Sequence, residues 1–262
     1  VSSPHDIPAA APPSVAVSPD GWRVRWLDEV DSTQRVAADL PPWSAVIAVH
    51  QTGGRGQRER SFTSDRGGFY LTAVLPFDGD AAGWRGFALA IGRGVLGALT
   101  GLGVENLRLR WPNDLMIGPR KVGGILVEQG GRHTLLVGIG INITNRPWLE
   151  DHTLRYSAAR LLDHCERALT GPAQLLGPVL VALRQAHHDF AVGRLAGLVP
   201  ELNQCWGPRR HVWLEAAPEA DLPETEGAFA GITEQGQVLI ARPDGSLTAI
   251  PEHHIQRLVE VE

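Results

Sequence analysis

The sequence predicts a mixed α/β (α+β) fold: a mixed, largely antiparallel sheet with helices, followed by a small C-terminal β-barrel. Three observations predict it. Strand-length apolar runs bounded by glycine, proline and polar breaks recur through the first half of the chain. Two longer stretches, 81–100 and 156–198, carry apolar residues at helical spacing. After Trp206-Gly207-Pro208, short strand patterns follow one another at intervals of roughly ten residues, which suits a small barrel.

Taken in order, residues 22–30 alternate apolar and polar and predict a strand. Asp31-Ser32-Thr33 then opens a helix, with Ser32 or Asp31 available as N-cap. Ala45–His50 and Gly68–Leu75 are apolar strands that flank a polar, glycine-laden stretch from Gln51 to Arg60. Residues 81–100 place Phe87, Ile91, Val95 and Leu99 on one helical face despite several glycines. Leu107–Trp111, Gly123–Glu128 and Thr134–Ile143 are strand-like, and the short breaks between them predict antiparallel neighbours. The late strands are His211–Glu215, Ala228–Ile232, Gln237–Ala241 and Leu247–Ile250. This divides the chain into a tail (1–21), a catalytic-sized domain (22–207) and a small all-β unit (208–262).

Composition excludes several functions. A net charge of −5 supplies no basic field for nucleic acid or an anionic membrane. No apolar run approaches the roughly 20 residues that cross a bilayer. The first 20 residues are rich in Pro, Ala and Ser, and read as a disordered tail, not a signal peptide. Cys165 and Cys205 fit no zinc spacing and read as reduced structural residues of a cytoplasmic protein. His187-His188 and His253-His254 lack a third ligand and read as solvated. Of the 24 basic residues only Lys121 is a lysine. Where arginine has replaced lysine almost everywhere, a surviving lysine marks a place that needs a compact ammonium. A chance survivor on the surface would look the same, so the neighbourhood of Lys121 decides.

That neighbourhood carries chemistry. Gly53-Gly54-Arg55-Gly56-Gln57-Arg58-Glu59-Arg60 interleaves glycines, which let backbone approach a ligand, with forked guanidinium donors for phosphate or carboxylate. It is neither a Walker loop nor a dinucleotide fingerprint. Trp111-Pro112-Asn113-Asp114 follows a strand, and a hairpin would carry Asp114, Asn113 and Lys121 to one end of the sheet. Gly138-Ile139-Gly140-Ile141-Asn142 ends another strand with two bare positions, as a β-bulge or a ligand floor would.

These stretches, with Asp31-Ser32-Thr33, Gln51 to Gly56 and Arg120 to Glu128, resemble the biotin protein ligases (biotin–acetyl-CoA-carboxylase ligases) in motif, order and spacing. The resemblance spans roughly residues 22–262. It implies a sheet related to class II aminoacyl-tRNA synthetases and an SH3-like C-terminal β-barrel. It also implies ATP-dependent activation of biotin to biotinyl-5'-AMP, with Mg²⁺, and transfer to a lysine of the biotin carrier domain of acetyl-CoA carboxylase. The ureido ring of biotin falls to Ser32, Thr33 and Gln51, with Gln34 as a further biotin-binding residue. The bicyclic ring and valeryl chain fall to Gly124, Gly138 and Gly140, and the biotin carboxylate to Arg55 and Lys121, with Gly56 and Gln57 as further biotin-binding residues. ATP falls to Arg55, Arg60, Phe62, Asn113, Lys121 and Asn142. Lys121, Arg55 and Asp114 are the implied catalytic residues, Asp114 orienting or deprotonating the acceptor amine, and no side chain is implied as a metal ligand.

Two departures from the family pattern stand out. Gln57 occupies a position where an arginine is common, which predicts a more labile adenylate unless Arg58 compensates. No helix-turn-helix precedes residue 22, which implies a ligase without repressor function. The alternatives are a lipoate or octanoate transferase of the same superfamily, and a nonenzymatic biotin-binding regulator.

Overall fold

Eight strands form one sheet in a computed structural model that describes residues 16–18, 20–78, 81–131, 133–147, 158–165, 169–220 and 225–261. They are β1 (Ala16–Val17), β2 (Arg23–Val30), β3 (Ser44–Gln51), β4 (Gly68–Pro76), β5 (Leu107–Arg110), β6 (Asp114–Ile117), β7 (Arg120–Gln129) and β8 (Thr134–Asn142). Their spatial order is β1-β2-β3-β4-β8-β7-β6-β5. Only β2 and β3 run parallel, joined over the short helix α1 (Thr33–Ala37); every other pair is antiparallel. The mixed, largely antiparallel sheet predicted from the strand patterns is therefore present. Most of the 1–21 tail lies outside the described residues, but Ala16–Val17 pair with β2.

Alternation along the strands sorts the two faces. Phe69, Leu71 and Ala73 of β4 and Val137, Ile139 and Ile141 of β8 belong to the main hydrophobic core. That face is covered by α2 (Phe87–Gly101) and α3 (Ala173–Leu202). The intervening residues, Tyr70 and Thr72 on β4 and Gly138, Gly140 and Asn142 on β8, look the other way, because successive side chains on a strand alternate. That second face is polar and glycine-rich. Helix α3 begins later than the predicted 156–198 stretch; residues 151–157 and 166–168 of that stretch lie outside the described residues.

Besides the two-residue β1, the sequence patterns missed two strands. β6 starts at Asp114, so Trp111–Asn113 is the turn of a β5–β6 hairpin. The other, β13 (Ile255–Val261), belongs to a second sheet that includes β9 (His211–Ala216), β10 (Thr225–Ile232), β11 (Val238–Ala241) and β12 (Leu247–Ile250).

This second sheet corrects the prediction of a C-terminal SH3-like barrel. Its order is β12-β11-β10-β9-β13, and β12 and β13 remain its two edges with no ladder between them. A barrel needs that closing ladder. Here β13 leans on the first sheet instead: its Ile255 carbonyl accepts from Arg58, and its Glu260 pairs with Arg108. Val212, Leu214, Ile240 and Ile255 join the same hydrophobic core as the first sheet, so the open sheet has a partner layer and needs no closure.

Candidate functional site

The polar face of the first sheet, the Gln51–Phe62 loop and β13 enclose a cavity of about 580 Å³. Every candidate residue from the sequence borders it. Its order can be followed along β8, where residues 138, 140 and 142 step about 7 Å apart on one face.

At the Gly138 end lie Ser32, Thr33, Gln34 and Gln51. The Gln51 Oε1 accepts from the Thr33 backbone N–H at 2.8 Å and from the Thr33 hydroxyl at 3.0 Å, while its Nε2 donates to Ser64 Oγ at 2.9 Å. Thr72, directly across from Gly138, places its hydroxyl 2.8 Å from that of Thr33. Since the Thr33 proton is spent on Gln51, Thr72 donates to Thr33 and leaves its own lone pairs as acceptors. Ser32 occupies the N-cap position without making a side-chain cap bond, so its hydroxyl is not consumed by the helix. Gln34 is 5 % exposed and donates from Nε2 to Glu128 at 3.0 Å, and its Oε1 has no hydrogen-bond partner. The carboxylate of Glu128 sets this orientation, because the flipped amide would place oxygen against oxygen.

In the middle, Phe62 lies flat on Gly140: a Cβ there would stand 2.5 Å from the ring. Arg55 faces Glu128 at 3.8 Å, and Gly56, Gln57 and Arg60 continue the rim. Arg58, next to Gln57, also borders the cavity. Its Nη2 donates to the Ile255 carbonyl at 2.8 Å, which ties the rim to β13.

Beside Gly124, Asp114 holds two cations. Lys121 Nζ is 2.5 Å from Oδ1, and Arg110 donates to Oδ2 from Nε at 3.1 Å and Nη2 at 2.6 Å. A bulge brings Lys121 there. In the β6–β7 ladder Asp114 pairs with Gly124 and Leu115 with Gly123, but Met116 pairs with Lys121, so Val122 is extra. The extra residue reverses the alternation, turning Val122 into the core and Lys121 onto the face of Asp114. A bulge on β8 was one possibility in the sequence; β8 is regular, and the bulge is on β7. Burial pushes the Asp114 carboxyl upward, but Lys121 and Arg110 outweigh it and hold its pKa below the ordinary carboxylate value.

At the far end, Asn142 donates to the Ala159 carbonyl at 3.1 Å and accepts from Asn145 at 3.0 Å. Asn113 is stapled to β7 through Nδ2 to the Ile125 carbonyl at 2.6 Å. Among the described residues no three His, Cys, Asp or Glu side chains cluster as a metal site. The carboxylates of Asp114, in the cavity, and Glu128, next to Gln34 and Arg55, already face cations or an amide.

Cavity-lining residues that the motifs did not single out as site members include Thr72, Arg110 and the β13 segment Gln256–Leu258, while Glu128 reaches the site through Gln34. Alternation would have found Thr72, which shares its face with Tyr70. Nothing local marks β13, because only tertiary packing brings it to the cavity.

Fold and cavity together define a small-molecule site with a polar end, a glycine floor and a cation cluster suited to an anion. Residues 23–143, just under half of the chain, match the model of the biotin/lipoate A/B protein ligase family. It is 36 % identical over 136 residues to the bifunctional ligase/repressor BirA of Escherichia coli, covering 48 % of this chain and 42 % of that protein. It is 29 % identical over 240 residues to the biotin–[acetyl-CoA-carboxylase] ligase of Paracoccus denitrificans, covering 84 % of this chain and 94 % of that one. The biotin protein ligase of Aquifex aeolicus, solved with biotin and ATP, superposes with a TM-score of 0.77 at 25 % identity, covering 91 % of this chain and 99 % of that one. The chain thus spans under half the length of the bifunctional relatives, and nearly all of the other two.

Proposed function

We propose that the chain is a biotin protein ligase that condenses biotin with ATP and transfers the biotinyl group to a lysine of a carboxylase's biotin carrier domain. The observation that carries this reading is the Oε1 of Gln34, buried and unpartnered on a side chain that lines the cavity and is oriented by Glu128. It needs an N–H donor. The urea ring of biotin offers two; the dithiolane of lipoate and the alkyl chain of octanoate offer none and would leave the acceptor stranded. The names of the Paracoccus and Aquifex relatives agree with that preference.

In the first half-reaction a biotin carboxylate oxygen bonds to the α-phosphorus of ATP, and the bond to the pyrophosphate oxygen breaks. Two anions must be brought together, so the reaction needs fixed positive charge where charge develops. Lys121, Arg55 and Arg60 supply it along the cavity. Asn142 and Phe62 border the remaining space, which falls to the nucleoside. The residues present do not fit a resident Mg²⁺, since Asp114 and Glu128 are committed; the metal enters as MgATP. In the second half-reaction a neutral lysine amine attacks the acyl carbon and AMP leaves. Asp114, held ionised by two cations, is a poor base at neutral pH; it orients the amine rather than deprotonating it. We place the catalytic unit at 22–207, with 208–262 closing the cavity.

Pyrophosphate release from ATP, measured with biotin, lipoate and octanoate in turn, tests the reading. Release with biotin alone, followed by transfer to a carrier domain, is the expected result. Equal turnover of lipoate would overturn it.

A further inference from the structure

Asp114 is one carboxylate shared by two cations, and the two are not equivalent. Both border the cavity, but the Lys121 side chain is 36 % exposed and Arg110 only 10 %, closing the β5–β6 hairpin as the cross-strand neighbour of Asp114. Each carboxylate oxygen has its own cation, Oδ1 taking the ammonium and Oδ2 the guanidinium. Directly opposite, Gly124 contributes no side chain. The charged groups that act on Asp114 are thus Lys121 from β7 and Arg110 from β5.

An anionic ligand entering the cavity competes for Lys121. As the ammonium turns its donors to a carboxylate or phosphate, Asp114 loses part of its compensation and faces a second negative charge in a water-poor site. A buried carboxylate so placed either takes up a proton or repels the ligand. The Oδ2 side of Asp114 is untouched by that exchange.

We propose that Arg110 is a positioning residue: it keeps Asp114 paired and ionised while Lys121 is handed to the anionic ligand, so that ligand charge is met without proton uptake. Arg110 acts through Asp114, and the proposal rests on the ligase reading, which supplies the anions. It also explains why one site holds two cations of different kinds. The movable one is a slender ammonium with three donors, and the fixed one is a guanidinium that grips a single oxygen from the side.

Calorimetry tests this with biotin and a non-hydrolysable ATP analogue, in buffers of different ionisation enthalpy near pH 7.5. Wild type should bind with little proton exchange. Arg110→Met should bind about tenfold or more weakly, in line with losing a charged hydrogen bond, and take up close to one additional proton per adenylate-site ligand. Arg110→Lys, which restores a cation, should return both values toward wild type. In an Asp114→Asn background, where no charge can be stranded, adding Arg110→Met should cost little further affinity; this pair also serves if Arg110→Met alone fails to fold. Unchanged proton uptake in Arg110→Met, or an undiminished penalty in the Asp114→Asn background, would overturn the proposal. Wild type that binds neither ligand would overturn the ligase reading itself, a separate and recognisable failure.

Discussion

Lys121 shows how far a single residue can be followed. Its side chain lies over Gly124, where a Cβ would come within 3.3 Å of Nζ. Its backbone carbonyl accepts from Ala159 at 2.8 Å, so the strand cannot yield to a larger head group. Lys121→Arg should keep the fold but lower biotin-dependent pyrophosphate release by roughly 100-fold, the scale of losing one aligned donor to developing charge; stopped-time release assays beside thermal melts check both halves. Gly140→Ala makes the complementary point. Its methyl group would stand 2.5 Å from the Phe62 ring, which must swing away. The expected result is weaker nucleotide binding with a stability cost of about 1–3 kcal/mol, read by titration and denaturant unfolding. Lysine scarcity and the glycine motif made both residues visible in the sequence. Arg110 was not visible, because an arginine in a Leu-Arg-Leu-Arg strand carries no mark of which face it joins.

At the scale of elements, the β7 bulge and the seating of α3 were decided by packing. A regular β7 would send Lys121 into the hydrophobic core, and the sequence around Val122 has no signal that distinguishes the two registers. His187 on α3 is a second case. Expected to be solvated, it packs between Trp43 and Trp84, and its Nε2 lies 2.9 Å from the Pro76 carbonyl. Burial depresses its pKa below the ordinary histidine value, partly opposed by the Pro76 contact. The unfolded chain therefore binds more protons than the folded one near pH 6.5 and below. The stability that His187 contributes is present above that pH and is lost as pH falls through it. Thermal melts between pH 5 and 8 should show a slope that His187→Gln removes; identical profiles would refute the assignment.

On the scale of the whole molecule, the second sheet forms a wall of the site and is not merely appended to it. Arg108, 5 % exposed, makes two hydrogen bonds of 2.7 and 2.6 Å to Glu260 and a third to the Gly118 carbonyl. Two residues before Glu260 on β13, Leu258 borders the cavity. Glu260→Ala strands a buried guanidinium, and should cost about 3–5 kcal/mol in denaturant unfolding. It should also raise the KM for ATP more than a surface control such as Glu226→Ala. The strand patterns of 211–250 correctly announced an all-β unit. They did not reveal that its edge strand docks on another sheet, which is what leaves it open.

The sequence by itself determined most of the element types, the mixed sheet and the motif residues that border the cavity, because those depend on local periodicity and on side chains whose chemistry admits few substitutes. Tertiary structure decided the rest: which way Lys121 points, which partner orients Gln34, and whether five short strands close on themselves. Each of these is a contest between alternatives of nearly equal local energy. Contacts from strands far away in the chain settle it, through a bulge that buries Val122, a carboxylate that turns an amide, and an ion pair that holds β13 against the first sheet.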